Sequence, residues 1–121
     1  MSHRSVPKRA LPLALLLAAL ACSGEQVPDP DPAVARGLRT YQNVCIACHN
    51  ADPSQDGTLG PGIAGASREL LEAKVLRGEY PPGYEPRRPG SATMPPFPYL
   101  EERIPDLVAY LASLPQQSGE Q

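Results

Sequence analysis

The sequence predicts an all-α domain, with three main helices joined by long loops rich in Pro and Gly. Apolar residues recur at helical spacing in three stretches, near residues 32–48, 67–77 and 102–114, and no strand pattern is visible between them. Most of the 16 prolines and 10 glycines fall outside those stretches, which makes the connecting backbone irregular. A third observation concerns the core. Aromatic residues are 5% of the chain, with no Trp and one Phe, too little for three helices to pack on one another alone.

Cys45-Ile46-Ala47-Cys48-His49 supplies what the core lacks. A C-x-x-C-H motif reads as covalent haem attachment. On a helix, residues three and four apart share a face, so both thiols and the imidazole can address one macrocycle. The thiols of Cys45 and Cys48 would join the haem vinyl groups as thioethers, and His49 would bind the iron. The disc itself would then be a large apolar surface for side chains to pack against. A thioredoxin-like redox pair would need a preceding strand and a βαβ pattern. A zinc site would need four ligands, and only Cys22 and His3 remain to help. A Cys45–Cys48 disulfide would close too small a loop to stabilise much and leaves His49 unexplained.

Length and charge narrow the possibilities. The 121 residues allow one domain plus an N-terminal extension. From residue 22 onward, 8 Lys and Arg stand against 13 Asp and Glu, a net of −5. That balance argues against a nucleic-acid partner.

The chain begins with Arg4, Lys8 and Arg9, followed by the apolar run from Leu11 to Leu20. This predicts a signal peptide over 1–21. The run is too short, and too interrupted by Pro12, to remain as a membrane span. Ala19-Leu20-Ala21 fits ordinary signal cleavage, and Ala19-Leu20-Ala21-Cys22-Ser23 also resembles a bacterial lipoprotein box, with Ala19 where that pattern usually has Leu. The unpaired thiol of Cys22 favours lipidation there, with plain secretion as the competing reading. Residues 22–31 are acidic and Pro-rich, an extended tether of roughly 30 Å at about 3.1 Å per residue.

The domain proper is expected over 32–115. Asp31 as N-cap and Pro32 in the first turn start the first helix. Its stripe of Val34, Leu38 and Tyr41 continues through Cys45 and Cys48. Gly37 inside it costs about 1 kcal/mol relative to Ala, which suggests close approach of another helix. Residues 50–66 are loop, and Pro61 in Gly60-Pro61-Gly62 is the candidate carbonyl to accept the second ring nitrogen of His49.

Ser67 caps a second helix running to about Arg77, with Glu69 near its positive end, Leu70, Leu71 and Val75 inward, and Gly78 as its stop. From 79 to 98 the chain has seven prolines and no helical period, a length of loop that is normally functional. Arg87 and Arg88 in it read as a solvated charge pair, or else as a local positive patch. Met94 lies in the same loop. Once the signal is removed, His49 is the only His left and Met94 the only Met. Met94 is therefore the leading candidate for a second axial ligand, with Lys74 and an open, water-filled position as alternatives. A third helix is expected from about Glu102 to Leu114, with Pro105 in its first turn and Pro115 as its stop. The tail, 116–121, is expected to be disordered.

Over residues 32–115 these features resemble a monohaem class I c-type cytochrome, in family order. Gly37 and Tyr41 precede Cys45-Ile46-Ala47-Cys48-His49. Gly60-Pro61-Gly62-Ile63 and Met94-Pro95-Pro96-Phe97 follow, then Leu107-Val108-Ala109-Tyr110-Leu111. The family often has Leu where Ile63 stands. The resemblance implies the small class I cytochrome c fold around one covalently bound haem c, with Gly37 and Tyr41 packed against Leu107, Tyr110 and Leu111. It implies a one-electron carrier with His49 and Met94 on the iron, not an enzyme, since no His is left to act as a general base. Redox proteins would be its partners, with no small-molecule substrate. A monomer is expected, exported to the periplasm or the outer face of the membrane and anchored through Cys22. The alternatives are a cytochrome subunit of one dehydrogenase or oxidase complex, and a haem-based ligand sensor.

Overall fold

The computed structural model describes residue 29 and residues 31–115. The expected signal peptide over 1–21, the lipidated Cys22, most of the tether and the tail over 116–121 lie outside the described residues. Among those described, every regular element is helical.

The first helix, α1, spans Pro32–Val44. Asp31 caps it, its side chain accepting from the Ala33 amide at 2.8 Å, with Pro32 in the first turn. The stripe does not continue as α-helix through the motif. Helix α1 stops at Val44, and Cys45–Ala47 form a single 3-10 turn. The amides of Cys48 and His49 both converge on the Cys45 carbonyl, at 3.1 and 2.9 Å. Shared acceptance of that kind marks a helix tightening at its end. In a 3-10 turn residues three apart eclipse, so Cys45 and Cys48 still stand on one side.

The second helix, α2 (Arg68–Leu71), runs directly into a π-helical turn, Glu72–Leu76, rather than continuing regularly. Ser67 caps it, accepting from the Leu70 amide at 3.2 Å. Its far end is tied to the following loop. The Phe97 amide takes the Val75 carbonyl at 2.6 Å, and an outside donor among the last carbonyls accompanies the widened turn. Gly78, at φ +74°, supplies the left-handed residue that ends it.

The third helix also begins differently from expectation. Pro98–Arg103 form a 3-10 stretch, and α3 spans Ile104–Ser113, with Pro105 in its first turn. The α1 and α3 helices cross at Gly37. A Cβ there would overlap the Asp106 carbonyl oxygen and lie 2.7 Å from Tyr110 Cβ. Tyr41 is fully buried beside this crossing, its ring 5.6 Å from that of Tyr110 and tilted by 54°. Leu107 and Leu111 complete the junction, and Leu70, Leu71 and Val75 of the second helical segment close the same core. None of the described helices is long and apolar enough to cross a membrane.

Candidate haem site

The 3-10 turn presents Cys45 and Cys48 as unbridged, half-buried thiols. Burial pushes the Cys45 thiol up to about 11, so as a free thiol it stays protonated and weakly nucleophilic near neutral pH. His49 follows immediately, its Nδ1 2.8 Å from the Pro61 carbonyl oxygen. With the proton on Nδ1 and donated to that carbonyl, Nε2 keeps its lone pair for a metal.

Several contacts hold the loop against the motif. The amides of Leu59 and Gly60 donate to the Cys48 carbonyl at 3.3 and 3.0 Å. At Gly60 a Cβ would stand 2.6 Å from His49 Cε1, and at Gly57 it would stand 2.6 Å from the Asn50 amide. Both positions require glycine for space, not for backbone angle. Tyr41 donates its hydroxyl to the Asn50 carbonyl at 2.6 Å, tying α1 to the residue after His49.

A cleft opens between this loop, the second helix and residues 91–94. Its cavity measures about 120 Å³ and is open to solvent on one side. Cys48, His49, Ile63, Leu70, Val75 and Met94 are among its walls. A largely apolar cleft, the Cys48 thiol on its wall, an oriented imidazole and a thioether on a further wall fit a haem, with Cys45 half-buried against the adjoining core. The Gly60 position shows how closely the loop is moulded to the imidazole. Lys74 also lines the cleft, but its Nζ lies 3.9 Å from the Tyr80 ring centroid and donates to the Gly78 carbonyl at 3.3 Å.

Arg87 is exposed and Arg88 half-buried, and both also bond the backbone of the preceding loop. Arg87 Nη1 donates to the carbonyls of Gly62 and Ala64 at 2.9 and 3.2 Å. Arg88 donates to those of Gly57 and Thr58, at 2.8 and 3.4 Å. Backbone carbonyls have no signature in a sequence, so nothing in residues 57–64 announces that it accepts from side chains beyond residue 85. Gly60 was more legible, standing directly before Pro61.

No curated protein matches the chain. The family model described as Cytochrome c matches residues 34–115, a span that takes in the motif, the cleft and all but the first two residues of the helices. By that match the chain belongs to the cytochrome c family: it is a class I c-type cytochrome, a haem-based electron carrier to which haem c is covalently bound.

Proposed function

We propose that this protein carries single electrons on an iron held between His49 and Met94, and that it works at the outer face of a membrane. The observation that carries the ligand pair is one shared cleft. His49 and Met94 both line it, and the Nδ1 of His49 is engaged by Pro61, which reserves Nε2 for the iron. Lys74, the competing donor, is held by Tyr80 and Gly78. The haem, when bound, supplies a ferrous/ferric couple, and thioether with imidazole ligation favours a higher potential than two imidazoles.

The polypeptide's part is to orient and to exclude water. Met94 is half-buried and packed against the core, and Pro95 and Pro96 stiffen the loop after it. A preformed loop lowers the entropy cost of presenting the sulfur. The apolar walls keep water from the iron and penalise net charge there, which also raises the potential.

Export rests on the basic, then apolar, start of the chain, and anchorage on Cys22. The acidic balance after residue 22 fits a redox partner with a basic surface, so reduction rates should fall as salt rises.

Carbon monoxide tests the ligand pair. The reduced wild-type protein should bind it slowly at neutral pH, because the sulfur blocks the position. Met94→Ala should bind it rapidly and show a lower potential. Rapid binding by the wild type would refute the proposal. Intact mass of the exported protein tests the anchor, since acyl mass on Cys22 is expected beside the mass of one haem.

A further inference from the structure

We propose that Arg87 and Arg88 are positioning residues of the redox centre, clamping the backbone on both sides of Pro61 and so fixing the carbonyl that His49 uses. Arg88 takes the carbonyls of Gly57 and Thr58 before Pro61, and Arg87 those of Gly62 and Ala64 after it. The inference rests on His49 being an iron ligand.

The amides of this loop are already spoken for by the preceding stretch. Leu59 and Gly60 donate to Cys48, Gly62 to the Asp56 carboxylate at 2.7 Å, and Ile63 and Ala64 to Pro53. The carbonyls of Gly57, Thr58, Gly62 and Ala64 face the other way, and the two guanidinium groups gather them. Charge-assisted bonds of this kind are about twice as strong as neutral ones. The planar guanidinium can also serve two acceptors at once, which an ammonium does without fixed geometry. The clamp is itself stiffened, because Pro86 and Pro89 flank the pair in sequence. The same loop leads on to Met94, so one segment braces the imidazole side of the cleft and delivers the thioether.

The consequence is electronic. A carbonyl held 2.8 Å from Nδ1 makes the imidazole more basic, and a more basic ligand stabilises the ferric state. Loosening the clamp should weaken that hydrogen bond and raise the potential. Removing positive charge acts in the opposite direction, so charge and geometry can be separated by choice of substitution.

The test is the double variant R87K/R88K, which keeps both charges and loses both planar guanidinium groups, measured on the mature haem protein. Its ferrous-to-ferric ratio at the wild-type midpoint should rise threefold or more, an upward shift of about 28 mV at 59 mV per tenfold for one electron. The ring N–H of His49, followed by proton NMR, should exchange with deuterated solvent at least tenfold faster. R87Q/R88Q separates out charge, and Arg36→Ala, on the distant α1–α3 face, controls for loss of stability alone and should move neither reading. If the lysine pair leaves both readings at wild-type values, or if Arg36→Ala moves them equally, the clamp is refuted. A shift in the glutamine pair alone would assign the arginines a purely electrostatic role and refute it too. Should the double variant fail to mature, Arg88→Lys alone must still speed ring N–H exchange. A wild-type protein without a haem-shifted His49 signal would instead indict the ligand assignment.

Discussion

Arg36 on α1 grips Asp106 on α3 with two bonds, Nε to Oδ2 at 2.9 Å and Nη2 to Oδ1 at 2.8 Å. The pair spans the helix crossing right beside Gly37, where the two backbones approach most closely. The Asp106 side chain is 9% exposed and that of Arg36 44%, so the carboxylate gives up water and receives a fork in exchange. Hydrogen bonding from Arg36 holds the Asp106 carboxyl below the usual range against the opposing effect of desolvation, with the charges of Arg36 and Arg103 assisting.

A lowered carboxyl pKa fixes the direction of an acid effect. The folded state prefers the ionised form, so the pair's contribution is complete above the unfolded carboxyl pKa of about 3.9. It is lost as pH falls through the depressed folded-state value. Asp106→Asn should therefore be less stable than wild type at neutral pH and lose less on acidification. Thermal unfolding followed by helical circular dichroism, from about pH 7 down to about pH 3, measures both. Parallel curves for the two proteins would show that the pair does not govern the acid limb.

Gly37→Ala sets two known magnitudes against each other. Alanine gains about 0.5–1 kcal/mol of helix stability over glycine. Overpacking a tight contact costs about 1–3 kcal/mol, and here the added methyl meets the Asp106 carbonyl and Tyr110 Cβ. The obstacle is backbone, which cannot swing away as a long side chain could. Packing should win, with a net loss of about 1–2 kcal/mol in denaturant unfolding of the haem protein. A variant as stable as wild type would mean the helices slide apart cheaply.

The fold was legible where local chemistry decides it. Asp31, Ser67, Gly78 and Pro115 each mark a helix boundary by a backbone need that one residue type meets. What the sequence concealed were the departures from regular α-helix. Cys45–Ala47 tighten, Glu72–Leu76 widen, and Pro98–Arg103 wind as 3-10 before α3. The widened turn has a partner arriving from elsewhere, the Phe97 amide at the Val75 carbonyl. A periodic pattern of apolar residues does not distinguish among windings that differ by a fraction of a residue per turn.

Gly60→Ala tests how closely the loop must sit on the imidazole. The new Cβ would lie 2.6 Å from His49 Cε1 and 2.7 Å from Nδ1, so either the ring or the loop must shift. The haem stays attached through its thioethers. The expected outcome is a perturbed ligand field, read as partial loss of the low-spin ferric spectrum, together with a raised potential. Gly62→Ala is the milder comparison, its Cβ meeting the Ser54 carbonyl at 3.1 Å. Equal effects from the two would argue for general loop disruption rather than pressure on the ring.

The site divides in the same way as the fold. Cys45, Cys48 and His49 could be named because a thioether and an iron bond demand those side chains at that spacing. Met94 could be proposed because removal of the expected signal peptide would leave no other thioether. Tyr41 was readable as a helix-packing aromatic but not as a donor to Asn50, and Arg87 and Arg88 were readable as a charged pair but not as donors to the loop over 57–64. In each case the acceptor is a main-chain carbonyl, which every residue possesses. Only the folded loop selects which carbonyls are turned outward.

Tyr41→Phe isolates one of those hidden bonds. The ring should keep its place against Tyr110, while the Asn50 carbonyl, next to His49, loses a donor at 2.6 Å. Asn50 is half-buried, so losing the bond should cost about 0.5–1.5 kcal/mol, and unfolding midpoints should fall accordingly. Alkaline behaviour supplies a second signature. Burial raises the Tyr41 phenol well above its ordinary value, so the folded state keeps a proton that the unfolded chain releases above about pH 10. Stability is therefore complete below that pH and falls as pH rises past it. The variant should lose part of this alkaline decline and keep the rest, because burial raises Tyr110 as well. An unchanged alkaline limb would mean that Tyr41 ionises in the folded protein about as readily as in the unfolded chain.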